Sequence, residues 1–325
     1  MASTTTAAQV ANIAESVMGG MFIETFIACL LYGITTLQTA YYFQTYSDDE
    51  TFIKCLVAII WMLETAHTAF CVEFVYEYLI EDFGNFFTFM TIKWGVGATV
   101  ICSVGIATCV QGYYVWRVWV LSGRSRIWAG LVGALIVTRV VFGIASAVLC
   151  YTCPSWPVLR SKRFSLVTVS GGLGAAALAD VVVAVLLSFY LKRGRHSAPR
   201  SQQSDSTINR ILLYSVNTGA VTCSASLLCV ILFAVQTNSL NFLGLVEIQA
   251  KLYANSFLGS LNARMLLRDT RIRQPLYSQG DGSVRLRTPV IAVYQQTISR
   301  TDRSVSKGSS DFRRSADLKE LESPA

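Results

Sequence analysis

Ionisable side chains inside long apolar runs are the residues of this chain with chemistry to offer. Glu64 and His67 stand one turn apart in WMLETAHTAF, so a carboxylate and an imidazole share one helical face. Glu247 and Lys251 are four residues apart near the end of the apolar region, the favourable order for an ion pair along a helix. Arg139 and Asp180 lie in two consecutive runs. Charges at mid-bilayer cost several kcal/mol and normally face a bundle interior, where they serve substrate or proton paths, or locks. Counting ~1.5 Å per residue from the inner end puts Glu64 ~18 Å deep, His67 ~22 Å and Lys251 ~24 Å, with Arg139 and Asp180 at ~18 and ~17 Å. Glu64, His67, Lys251 and Asn217 therefore form a candidate intramembrane polar layer lining a cavity. The plainer alternative is a set of interhelical hydrogen bonds that hold the bundle together. Arg139 and Asp180 are a candidate ion pair at matched depth, a structural clamp before a gate, and Glu247 and Lys251 are a second candidate pair.

The elements that must position these groups are apolar runs of membrane length. A hydrocarbon core of ~30 Å needs ~20 apolar residues of helix. Such runs cover 18–43, 52–80, 93–121, 127–151, 164–191, 208–236 and 241–267. Hydrophobic residues make up 53% of the chain and charged ones 14%, against about 25% charged in soluble domains. The fold class expected is all-α: a polytopic transmembrane bundle of about seven helices. Residues 1–17 form a short polar segment outside the membrane, 18–267 the bundle and 268–325 a disordered basic Ser/Thr-rich tail. The first segment has no Lys or Arg, so no cleavable signal peptide is expected.

Net charge is +7, but the basic residues gather in loops and in the tail. Arg117, Arg124, Arg126, Lys192, Arg193, Arg195 and Arg200 share one side with the tail, which by the positive-inside rule gives N-out, C-in. Anionic lipids at these inner loops and at the tail are the expected partners, besides the bilayer itself. No nucleic-acid surface is implied, and an oligomer stays open. Which secretory-pathway membrane holds the chain, the plasma membrane included, is not encoded in these residues.

Most of the cysteines sit inside spans as small polarizable fillers. Cys150 and Cys153 flank an outer loop and are candidates for a disulfide. GGLGAAALAD, 171–180, places small residues three and four apart and lets a neighbouring helix approach closely. With only His67 and His196, and no Ser/His/Asp arrangement or P-loop, no metal, cofactor or enzymatic activity is expected.

TINRILLYSVNTGAVT (207–222) and KLYANSFLGSLNAR (251–264), together with WMLETAHTAF, FGN at 83–85 and FSLVTVSGGLGAAALADVVVA at 164–184, resemble the signature segments of a fungal, mainly basidiomycete, membrane family of unknown function. Glu64 stands where that family tends to have Asp, which keeps the charge. The resemblance implies a multi-pass protein of about seven helices and supplies no ligand, cofactor or reaction.

Three functions follow from these readings. A seven-helix receptor or sensor with unknown ligand fits best, although YYVWRVWVLSGR lacks the acidic–Arg–aromatic triplet of rhodopsin-like receptors. A small-molecule or ion transporter or channel would use the intramembrane charges, yet no Pro interrupts a span. A structural or scaffold membrane protein is the third.

Overall fold

The computed structural model of the protein describes residues 7–83, 85–197, 202–236 and 239–273. Among them are nine α-helices and no strand. These are α1 (Ala7–Thr45), α2 (Thr51–Tyr76), α3 (Phe86–Phe89), α4 (Trp94–Leu121), α5 (Arg126–Thr152), α6 (Trp156–Ser161), α7 (Arg163–Ser197), α8 (Gln202–Val235) and α9 (Asn241–Arg273). Five of them, α1, α2, α4, α5 and α7, contain stretches long and apolar enough to cross a membrane. Of the expected disordered tail, 268–325, residues 268–273 continue α9, and the remainder lies outside the described residues.

Side-chain size and shape set the packing order. Small residues bring backbones together: Phe142 of α5 lies against Gly171 and Gly172 of α7, and Ala184 of α7 against Gly219 of α8. The GGLGAAALAD stripe thus works within the bundle. Helix α4 is central, touching α2, α5, α7 and α9. Of its most apolar window 56% is buried, against 17% for α5, which turns Val137, Val141, Ile144 and Val148 outward. Exposed apolar side chains on this scale belong to a lipid-facing surface, since a water-facing one rarely carries such patches. The chain is an integral membrane protein.

Helices α1 and α9 run parallel in a fixed register. Asn255 Nδ2 donates to the Leu31 carbonyl at 3.0 Å, and Asn262 Nδ2 donates to the Gln38 carbonyl at 2.9 Å, both across a separation of 224 residues. One end of this pair is closed by Arg264, which donates to Asp49 Oδ2 at 2.6 Å and stacks on Tyr46. That partnership holds the Asp49 carboxyl below its ordinary range: partial desolvation raises it, but hydrogen bonds from Arg264 and Tyr42 outweigh that effect.

Short elements depart from the seven apolar runs in instructive places. Helix α2 ends in a π-helical turn, Glu77–Glu81. FFTF, within the stretch 83–93, forms the one-turn α3. Between α4 and α5 the chain turns through left-handed Gly123 and Arg124, and the Arg124 guanidinium rests on the Trp119 ring. The sequence CPSWP does not simply loop: Ser155 precedes α6, with Pro157 in its first turn, where a missing N–H costs no helical bond.

Helix α6 is pinned from both sides. The Trp156 amide donates to the Met90 carbonyl at 2.8 Å, and its indole N–H donates to Tyr78 Oη at 3.3 Å. Arg160 donates to the carbonyls of Gln236 and Ser239 in the α8–α9 connection, at 2.6 and 2.8 Å.

Candidate functional site

A charged layer lies between two of the three apolar clusters of the interior. An apolar cluster at the end holding Val17 includes Phe74, Leu149, Trp156, Phe233 and Phe242. A second cluster near Tyr42 includes Ile60, Ile106, Tyr113 and Phe257. The charged groups lie between them. Glu64, His67, Glu247 and Lys251 are each 0% exposed.

Helices α2 and α9 place these four in two rungs. Lys251 Nζ lies 2.9 Å from Glu64 Oε2 and donates to Thr68 Oγ1 at 2.7 Å. His67 Nε2 lies 3.1 Å from Glu247 Oε2 and 2.9 Å from Ser103 Oγ of α4. Thr99 of α4 donates to Glu247 Oε1 at 2.9 Å. One turn forward on α2 matches one turn back on α9, as antiparallel helices require. The expected pairing of Glu247 with Lys251 along α9 is therefore not the one formed: Lys251 meets a carboxylate, and Glu247 an imidazole, on α2. Lys251, expected level with His67, reaches one turn further to Glu64.

Among the described residues this layer is buried, and none of its four groups lines the cavity described below. Ser103, His67 and Glu247 are the residue types of a hydrolytic triad, but serine and carboxylate meet the same imidazole nitrogen. A triad needs the acid on the opposite nitrogen, to orient the ring and support its positive form. Here His67 Nδ1 has no hydrogen-bond partner. The Asn217 side chain, the fourth expected member, lies outside the described residues.

Arg139 and Asp180 also meet differently from expectation. Asp180 accepts from Tyr253 Oη at 2.7 Å and from Gln111 Nε2 at 3.2 Å. The Arg139 guanidinium sits 4.6 Å from the centre of the Tyr253 ring. The tyrosine bridges the two charges, touching the cation with its face and the anion with its hydroxyl. No direct ion pair joins them among the described residues. Cys150 and Cys153 are free thiols, not a disulfide. Cys150 lines a cavity, and Lys162 donates to Cys153 Sγ at 3.4 Å, so the sulfurs are turned to different surroundings.

That cavity is the site the sequence did not announce. It measures about 120 Å³ and adjoins the charged rungs along a neighbouring stripe of α4, between α4, α5, α7, α8 and α9. Val100, Val104, Leu173, Phe242 and Val246 give it an apolar wall, and Trp156 and Leu159 of α6 roof it. Ser103, Arg139, Ser146 and Gln249 are its polar contributions. Ser103 belongs to both places, lining the cavity and bonding to His67. Only its position on α4 hinted at this: residues 96, 100, 103 and 104 share a face.

A family model described as a family of unknown function (DUF6534) matches residues 176–266. The match takes in Asp180 and the whole α9 contribution, Glu247, Lys251, Asn255, Asn262 and Arg264. No curated protein and no solved structure matches the chain.

Proposed function

We propose that the chain is a seven-helix, N-out and C-in membrane sensor of small molecules, from a fungal membrane family, and that its ligand occupies the cavity beneath α6. In this reading α8 and α9 cross the bilayer with the five more apolar helices. Helix α9 tolerates its charges because Glu247 and Lys251 are buried against α2 and α4.

The observation that carries the reading is the double role of Ser103. A ligand in the cavity touches a hydroxyl that is hydrogen-bonded to the charged layer, so occupancy reaches the α2–α9 contact without crossing the bundle. A ligand shifts an equilibrium only through a difference in its interaction with two states. The Ser103–His67 bond supplies such a difference. The cavity lies in the half of the bundle that holds Val17, the outer half in this orientation. A transport path through the polar layer is disfavoured, because its four groups contact one another across helices and are fully buried.

Hydrogen exchange of the full chain in lipid nanodiscs, screened against small lipophilic molecules, tests the proposal. A sensor has at least one ligand that slows exchange in α6 and α9 and alters it at 46–50, at the opposite end. Ser146→Leu, which fills the cavity, should abolish both effects. Exchange unaltered at 46–50 by any ligand that protects α6 would favour the scaffold reading. Ligand-dependent ion or solute flux in vesicles, lost in Glu64→Gln, would favour transport.

A further inference from the structure

One cavity-lining group is more than an apolar void requires. Nη1 of Arg139 is buried without a hydrogen-bond partner. Its charge is balanced at one remove, since the guanidinium stacks on Tyr253, which in turn hydrogen-bonds to Asp180. That arrangement satisfies the cation electrostatically and leaves the donor unused. An unpaired buried N–H is costly, and an oxygen acceptor would relieve the cost. Arg139, Gly143, Ser146 and Cys150 follow one another at helical spacing, so a single face of α5 looks into the space.

We propose that the cavity binds a neutral, membrane-soluble molecule of roughly five or six non-hydrogen atoms, since a void of ~150 Å³ accepts benzene and this one measures about 120 Å³. The ligand carries one carbonyl or hydroxyl oxygen, which accepts from Arg139, and its remainder lies against Val100, Leu173 and Val246. This inference rests on the sensor reading and adds the class of ligand. Neutrality follows from Asp180. A carboxylate head would bring a second negative charge to a cluster that already has one for its single Arg, and would lose its hydration on entry.

The test is thermal unfolding of the full chain in nanodiscs with pentane, pentan-2-one or pentanoate at equal membrane loading. The ketone should bind about tenfold more tightly than pentane, giving the largest rise in Tm. Pentanoate should give the smallest. Arg139→Met should erase the difference between ketone and pentane, and Arg139→Lys should keep part of it; the wild-type ranking alone decides if either variant fails to fold. Equal responses to ketone and pentane would overturn recognition of the oxygen while leaving the cavity reading intact. A larger response to pentanoate would overturn neutrality in favour of an anionic ligand. No response to any of the three, or responses that persist in Ser146→Leu, would remove the sensor reading itself.

Discussion

The two sides of α4 solve the interior of a membrane protein in opposite ways. Toward α2 and α9 it presents Thr99 and Ser103 to a tight layer of four ionisable groups. Toward α5 and α7 it presents valines to unfilled space with one cationic edge. The first side is specified group by group, each of the four side chains having a partner on the facing helix. The second is specified only by volume, so it can change contents. Rigidity and adaptability thus sit on neighbouring stripes of one helix, with Ser103 on the boundary.

Substitutions at Lys251, Ser103 and Ser146 bear on that contrast. The largest expected effect is on the tight side: Lys251→Met leaves the Glu64 carboxylate buried and unpaired. It should cost about 3–5 kcal/mol, whereas Glu64→Leu combined with Lys251→Met should recover most of that loss. Denaturation in detergent measures both, and a double variant as unstable as the single one would mean that the pair does more than neutralise charge. Next comes the shared residue. Ser103→Ala removes one hydrogen bond to His67 and should cost about 1 kcal/mol, less than the Lys251 variant and more than the cavity-filling Ser146→Leu. If Ser103→Ala is neutral, the two sides of α4 are uncoupled.

The smallest effect is expected at the membrane edge. The Asp49 carboxyl is held below its ordinary range, so its contribution is present above the unfolded value and is lost as pH falls through the folded one. Asp49→Asn should cost under ~1 kcal/mol at neutral pH and flatten the acid side of the stability profile. An unchanged acid limb would show that Arg264 and Asp49 pair without energetic consequence.

Much of this interior is legible in one dimension. Apolar run lengths place α4 and α5 within a residue of their ends, because hydrophobic thickness leaves little freedom. The depth count brings Glu64, His67 and Lys251 to one layer for the same reason. Depth does not give rotation about the helix axis, however, and rotation decides partners. Glu247 and Lys251 therefore read as a pair along α9 when they face α2. Tyr253 was invisible as the link between Arg139 and Asp180, since an aromatic ring in an apolar span signals packing alone. The hydroxyls of Thr68, Thr99 and Ser103 carry no pattern of their own. A cavity has no residue of its own at all, being what side chains on five helices fail to fill.

The distance along the chain between Lys251 and Glu64, 187 residues, also sets a waiting time. At ~5–20 residues per second of synthesis, the Glu64 carboxylate would precede its ammonium into the bilayer by roughly 10–40 s. Asp49 waits longer still, for Arg264, and the α1 carbonyls of Leu31 and Gln38 wait for the two asparagines. Every one of these debts is settled by α9, the last of the described helices to emerge. A nascent chain without it is an unfinished bundle whose Glu64 carboxylate still lacks its ammonium.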